Sequence, residues 1–433
     1  MEILVVSQYW YPENGVPQRR WTWLAEVLHN QGHRVTVIAP PPGYDRKISF
    51  DQWLRTGLWK PTNIVETGPS DERIARSGSF PNGTSLTSRA IAQAFIALCQ
   101  LVEGARLRKV LDGYRPDVII GTVPALPSAF VARLLAKYFR VPYVIDLRDA
   151  WPDLLQQSDS WNAGLGRKSM RQKILSLGPL QIIAFITQHG LNNVLRNSDA
   201  IISTSEELSV SLGNRAAIKR GDQMPYIATV RNVFPAKTVV QKKSRPTQPD
   251  NTLHILYAGT MGRSQDLQNA IEAVRVCKNR GCRVELRLVG AGAAKPTLQK
   301  LSKELGTLVT FERRHPAESL NEHYAWADTA LVHLADWKPL TRTVPSKLYE
   351  LMQVGLHISC VARGESAELT RQLRAGDVVE PNSPHELADL WISLSSNRSR
   401  LLVDSTGAQW VKKQRDDIVP SAVRSLLDFI QTR

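Results

Sequence analysis

Leu253-His254-Ile255-Leu256-Tyr257-Ala258-Gly259-Thr260-Met261-Gly262 is the stretch that decides the architecture. Its mostly apolar run, Leu253–Tyr257, reads as a strand covered on both faces. Gly259 and Gly262 mark a loop, and Leu267, Ala270, Ile271 and Val274 then recur at helical spacing. The chain opens in the same order. Ile3–Val6 is a continuous apolar run, and Trp21, Leu24, Ala25 and Leu28 form the helix stripe that follows it. One strand-loop-helix unit therefore starts twice.

Outward from these two starts, strand-like runs recur at Arg34–Ala39, Asp117–Ile120, Tyr143–Leu147 and Ala200–Ser203. In the second part they recur at Val284–Val289, Leu308–Phe311, Thr329–His333 and Ile358–Val361, separated by helix-length segments. Such alternation predicts an α/β protein with two Rossmann-like, doubly wound parallel sheets facing each other across a cleft. Between them, Asn232–Asn251 turns polar, basic and Pro-containing, as a linker does. The expected organisation is a first domain over 1–231, a linker over 232–252 and a second domain over 253–410. A helical segment over 411–433 could pack back on the first. Ligands of such sheets lie beyond the carboxyl ends of the strands, so chemistry is expected in the loops after Val6, Leu147, Ala258, Val289 and Val332.

Of 433 residues, 42% are hydrophobic and 22% charged, which excludes a disordered or collagen-like chain. Lys and Arg number 55 against 40 Asp and Glu, a net charge of +15 that asks for a polyanionic partner. Anionic lipid and phosphorylated substrates fit. Nucleic acid carries less weight, because no recognised motif or base-stacking signature is present. Cys99, Cys277, Cys282 and Cys360 match no zinc spacing and read as plain buried thiols in a reducing compartment. The opening Met-Glu-Ile-Leu-Val-Val-Ser lacks the basic start of a signal peptide. The longest apolar stretches, Ala90–Val102 and Ile174–Thr187, fall short of the roughly 18 to 20 residues that span a bilayer. A cytoplasmic location is expected.

Thr343-Val344-Pro345-Ser346-Lys347-Leu348-Tyr349-Glu350 carries the most chemistry, because Pro in a first turn with Thr ahead of it marks a helix start. Free amides there attract an anion, Lys347 adds a point charge suited to a diphosphate, and Glu350 lies on the same face, where a carboxylate can accept two ribose hydroxyls. An ordinary capped helix with an exposed Lys and Glu pair would look the same. Gly259, Gly262 and Gly15 allow close backbone approach to a phosphate or merely turn the chain, and Arg263 offers a charged fork. Gly290-Ala291-Gly292 follows a strand, yet Lys295 stands near where a dinucleotide fingerprint needs its third glycine, which argues against nicotinamide binding. Asp146-Leu147-Arg148-Asp149 ends a central strand, where a carboxylate could orient an acceptor hydroxyl or simply close a salt bridge. Arg167, Lys168, Arg171 and Lys173 precede the apolar run Ile174–Ile186, a pattern that suits a membrane surface or a buried helix.

Together these segments resemble the GT-B fold, family 4 retaining glycosyltransferases, above all the bacterial branch that builds surface polysaccharides on lipid-borne acceptors. The resemblance covers nearly the whole chain. It runs through Ile3–Glu13 with Gly15, Asp146–Pro152, Tyr257–Gln265, Leu288–Gly292, Phe311–Pro316, Pro345–Glu350 with Gly355, and Gly364–Leu369. It implies that Arg263 and Lys347 hold a donor diphosphate, Glu350 the ribose, and Arg313, Arg314 and His315 the nucleobase. Gly15, Gly259, Gly262, Gln265, Pro345 and Ser346 complete the implied donor site, and Asp149 joins Arg263 and Lys347 as the catalytic set. The implied reaction moves a hexosyl or N-acetylhexosaminyl unit, with retention, from a nucleotide-diphosphate sugar (UDP above others) to a polyprenyl-diphosphate-linked sugar. The nucleotide sugar is a substrate, with no cofactor or metal, at the inner face of a membrane bound partly through Arg167, Lys168, Arg171 and Lys173. Three positions depart from the pattern. Arg342 stands at the first glutamate of the paired-glutamate motif, Thr260 and Gln265 at the usual arginine and lysine, and Arg148 where many relatives carry histidine. A nucleotide-sugar 2-epimerase of the same fold, or a non-catalytic nucleotide-sugar binding protein, is the alternative.

Overall fold

The computed structural model describes residues 1–13, 15–43, 49–62, 64–81, 86–123, 125–154, 179–219, 223–235, 252–315 and 317–433. The first sheet contains β1 (Glu2–Val6), β2 (Arg34–Ala39), β3 (Val65–Thr67), β4 (Arg73–Arg76), β5 (Val118–Val123), β6 (Tyr143–Leu147), β7 (Ala200–Ser203) and β8 (Tyr226–Thr229). Its strand order is β3-β4-β2-β1-β5-β6-β7-β8, parallel throughout except for the β3·β4 pair. The second contains β9 (Leu253–Ala258), β10 (Val284–Val289), β11 (Val309–Glu312), β12 (Thr329–His333), β13 (His357–Val361) and β14 (Gly376–Val379). Its order is β11-β10-β9-β12-β13-β14, all parallel. The order reverses beside β1 and beside β9, which puts the ligand crevice at the carboxyl ends of those strands.

The continuous apolar runs read from the sequence are the inner strands. Ile3 to Val6 and Leu253 to Ile255 are essentially inaccessible, as double-sided cover requires. Four short strands escaped that reading: β3, β4, β8 and β14. β3, β8 and β14 are sheet edges, where one neighbour is missing and mixed sequences are tolerated, and β4, one strand in from the edge, is the four-residue Arg73-Ile74-Ala75-Arg76.

One helix is longer than its apolar run suggested. Leu86–Val110 extends over 25 residues, and its part Ser88–Val110 is long and apolar enough, by length and composition, to cross a membrane. Counting Ala90–Val102 alone stopped short of this because polar residues at both ends belong to the same helix. In the window concerned, 39% of residues are buried within the fold.

The C-terminal segment touches both sheets. Trp410 stacks on Tyr349 at 6.1 Å, beside the second sheet. After a π turn over Gln414–Ile418, helix Val419–Gln431 lies on the first, where Phe429 stacks on Tyr226 at 4.9 Å and Gln31 Nε2 donates to the Pro420 carbonyl at 2.9 Å.

Candidate active site

Helix Ser346–Val354 begins one residue later than the sequence suggested: Pro345 is its cap, with extended backbone, and Ser346 its first helical residue. No side chain caps this end and its first turn holds no acidic residue, so the leading amides can meet an anion. Lys347 Nζ lies 3.0 Å from Glu350 Oε2 and donates to Tyr324 Oη at 3.1 Å. The Tyr324 hydroxyl donates to Glu350 Oε1 at 2.7 Å. Arg19, from helix Val16–Asn30 on the first sheet, reaches the same carboxylate at 3.8 Å. Burial would raise the Glu350 carboxyl, but Lys347, Tyr324 and Arg19 outweigh it and hold it below its ordinary value. Burial draws the Lys347 ammonium down against the pull of Glu350. An ammonium has three donors, so one remains for a phosphate oxygen.

The loop after β9 packs backbone to backbone on the loop after β10. Gly259 N donates to Val289 O at 3.0 Å and Met261 N to Ala291 O at 2.9 Å. A Cβ on Gly290 would sit 1.9 Å from Gly259 O, so the Gly-Ala-Gly run brings two loops together. Lys295 closes that turn by donating to the Gly290 and Glu312 carbonyls at 3.2 and 2.7 Å. Gln265 is also used locally: its Oε1 accepts from Gly262 N at 3.1 Å. Arg263 differs. Its Nε is buried with no hydrogen-bond partner. Burial and then Arg89, on helix Leu86–Val110 of the other half, lower its pKa. Two guanidiniums opposed across the halves favour an anion between them.

Beyond β11, Arg313 and Arg314 are exposed and His315 is half-buried. Glu312 gathers Arg287 at 3.4 Å, His315 at 3.3 Å and His323 at 3.6 Å. Glu312, His315 and His323 offer ligand atoms within 4.8 Å of one another, a set that could hold a metal ion, with the Arg287 guanidinium as a competing cation beside it.

On the first sheet, Asp146 and Arg20 are fully buried and paired at 2.8 Å. The second Asp146 oxygen accepts from Trp21 Nε1 at 2.9 Å and Arg20 Nε at 3.4 Å. Arg20 also donates to Val230 O at 2.8 Å and Asn232 Oδ1 at 3.0 Å. Arg148, two residues on, is 7% exposed, and its Nε and Nη1 have no partner. Burial pulls its pKa down to about 10, which leaves it charged at neutrality. Burial pushes the Asp149 carboxyl up, with Arg148 opposing. Gly15 caps helix Val16–Asn30 in extended backbone, so what it supplies is room: a Cβ would meet Gln18 Oε1 at 2.4 Å. Arg167, Lys168, Arg171 and Lys173 lie outside the described residues.

Comparison with known proteins places these two halves. Residues 15–217 match the model of a glycosyl transferase 4-like domain, and residues 252–397 match that of the glycosyl transferases group 1. This chain belongs to the family 4 glycosyltransferases of the GT-B fold. The glycosyltransferase is 27% identical over 369 residues to the Escherichia coli K12 protein described as the colanic acid biosynthesis glycosyl transferase WcaI, covering 82% of each chain. Its fold is similar to that of sucrose-phosphate synthase from Thermosynechococcus elongatus (TM-score 0.67, 16% identity, 100% of this chain and 99% of that one). Anabaena HepE, solved in complex with UDP, is also similar (TM-score 0.59, 14% identity, 100% of both chains).

Within this glycosyltransferase, Arg342 is engaged across the halves. It pairs with Asp153 at 2.9 Å and donates to Ser211 Oγ at 2.5 Å, while Ser205 Oγ donates to its carbonyl at 2.5 Å. The guanidinium at the family's first-glutamate position is thus spent on joining the two sheets. Nearby, Glu365 accepts from the amides of Glu206 at 3.1 Å and Glu207 at 2.8 Å, capping a helix that belongs to the other half, and it pairs with Arg231. Sequence reasoning missed Arg19, Arg89, Arg231, Tyr324 and Glu365. For Arg19 the signal was present: a basic residue in the first turn of a helix that follows β1, in a turn without acids. Tyr324 and Arg89 meet the site only through tertiary packing, which no local pattern encodes.

Proposed function

We propose that this glycosyltransferase takes a hexosyl or N-acetylhexosaminyl unit from a UDP-sugar and transfers it, with retention, to a lipid-linked sugar in polysaccharide assembly. The observation that carries the reading is the uncapped start of helix Ser346–Val354, with Lys347 and Glu350 clustered on Tyr324 and reached by Arg19 from the opposite half. In this reading Lys347, Arg263 and the helix amides hold the departing diphosphate, and Glu350 accepts from the ribose. Arg313, Arg314 and His315 face the base. Asp149, its carboxyl raised by burial, orients the acceptor hydroxyl. The charge that develops on the leaving phosphate is met by cationic side chains and backbone donors, and the acceptor's proton passes to that phosphate on the same face of the sugar. HepE's complex with UDP supports the choice of nucleotide, and WcaI's description supports polysaccharide as the product class.

A membrane setting is supported by the outer surface of the first half. Helices Leu86–Val110, Leu126–Phe139 and Pro179–Arg196 pack side by side. They expose Ile91, Leu98 and Val102, then Leu134 and Tyr138, then Phe185 and Ile186. Arg108, Lys109, Lys137 and Arg140 lie exposed among them. Apolar side chains framed by cations suit an anionic lipid surface, with about 1 kcal/mol for each near-surface Lys or Arg.

Two measurements test this. In a thermal-shift screen of nucleoside diphosphates, UDP at about a hundred times its Kd is expected to stabilise by about 2.7 kcal/mol and to give the largest rise. No shift from any of them would remove the donor reading. In flotation with phosphatidylglycerol vesicles, the protein is expected to rise with the lipid at low salt and less so near 1 M salt. Failure to float at low salt would remove the membrane setting.

A further inference from the structure

Arg148 is the least satisfied charged group in the described part of the fold. Its backbone is fixed on both sides: its N–H donates to Val123 O at 3.2 Å, and its carbonyl accepts from Thr204 Oγ1 at 2.8 Å. Its side chain is more than nine-tenths buried, yet Nε and Nη1 find no acceptor. The nearest candidate, Asp146, already receives Arg20 on both oxygens and Trp21 on one. A buried guanidinium whose N–H groups find no acceptor is costly even with carboxylates nearby, and folds ordinarily satisfy or replace it. Its position is equally specific. It follows β6 at the carboxyl end of the first sheet, with Tyr9 from the loop after β1 and Asp149 as electrostatic neighbours, where such sheets receive ligands.

We propose that Arg148 reads a carboxylate carried by a sugar substrate, so that this enzyme handles an acidic (uronic-type) residue. The reading rests on the glycosyl-transfer function proposed above and adds a substrate class to it. The diphosphate has its own cations on the opposite half, Lys347 and Arg263. What Arg148 lacks is an acceptor for its open donors, and a sugar carboxylate offers two charged oxygens to that fork where a hydroxymethyl group offers one neutral oxygen. A site built to hydrogen-bond an ionic group rejects the analogue lacking it, because its own buried donors then stay unpaired. The carboxylate can sit on the donor or on the acceptor sugar.

The test is calorimetric titration of wild type and Arg148→Met with UDP, UDP-glucose and UDP-glucuronic acid, then with methyl glucuronide and methyl glucoside in the presence of UDP. The wild type is expected to prefer the carboxylate-bearing member of one pair by at least tenfold. The first pair responding assigns the charge to the donor, the second to the acceptor. In Arg148→Met the preference is expected to vanish while UDP binds as before. The ligand-free variant is expected to melt at or above the wild-type temperature, since it removes an unpaired buried charge. Equal binding within both pairs, or a preference that survives the substitution, overturns the proposal. So does a clearly lower melting temperature for ligand-free Arg148→Met, which would mean that the guanidinium has partners within the fold. UDP that binds without any carboxylate preference defeats this inference alone, whereas UDP that does not bind defeats the donor reading and this one with it.

Discussion

Lys347→Met is expected to lower kcat/KM for glycosyl transfer at least a hundredfold with little change in melting temperature, and Glu350→Gln is expected to fall by a similar factor. The reasoning is electrostatic. A single donor aimed at charge that develops in the transition state is worth about 10²–10³ in rate when removed from a preorganised site. Lys347 is such a donor at a helix start that adds its own amides, with a third N–H beyond those given to Glu350 and Tyr324. Glutamine at 350 keeps an acceptor for the Tyr324 hydroxyl but loses the charge that anchors Lys347 and Arg19. The conservative change therefore separates chemistry from folding. Steady-state kinetics with matched melting curves check the pair, and wild-type turnover in both variants would detach this helix start from the reaction.

The second large effect is on stability. Asp146→Ala is expected to cost about 3–5 kcal/mol, because it strands Arg20 as a charge with no exposure at all. Arg20 would keep the Val230 carbonyl and Asn232 but lose the one carboxylate it pairs with among the described residues, and Trp21 would lose the acceptor of its indole N–H. Replacing both partners with apolar residues of similar volume, Arg20→Met with Asp146→Leu, is expected to cost much less than Asp146→Ala alone, since neither charge is then left behind. Unfolding midpoints of the two variants decide the matter. A single variant that melts with the wild type would show that the pair is not what holds the end of β6.

Much of this was legible from local pattern. The inner strands are continuous apolar runs because they are covered on both faces, and the two restarts at Ile3 and Leu253 reveal a repeated unit. What the pattern hid has a common cause. The edge strands β3, β8 and β14 pair on one side only and carry no sustained apolar run, and β4, between β3 and β2, is too short to show one. At the site, Lys347 and Glu350 could be placed together because three residues on a helix share a face. Tyr324 and Arg19 could not, since they arrive from other elements and, for Arg19, from the other sheet. Gln265 has a local use that spacing could not show: its Oε1 accepts from the backbone of Gly262. Arg342 and Arg148 both stood out as departures from the family pattern. One proved to be engaged across the seam between the halves and the other open, a difference that only coordinates reveal.

The path of the C-terminal segment bears on how this enzyme can move. The polypeptide passes from the first sheet to the second ahead of β9, and returns through the π turn to finish with Phe429 against Tyr226. A body pinned at one point can swing in any direction, but one pinned at two can turn only about the line that joins them. The C-terminal return thus gives the halves a second tie, made by residues other than those that lead into β9, and it narrows the ways in which Arg19 and Glu350 could part.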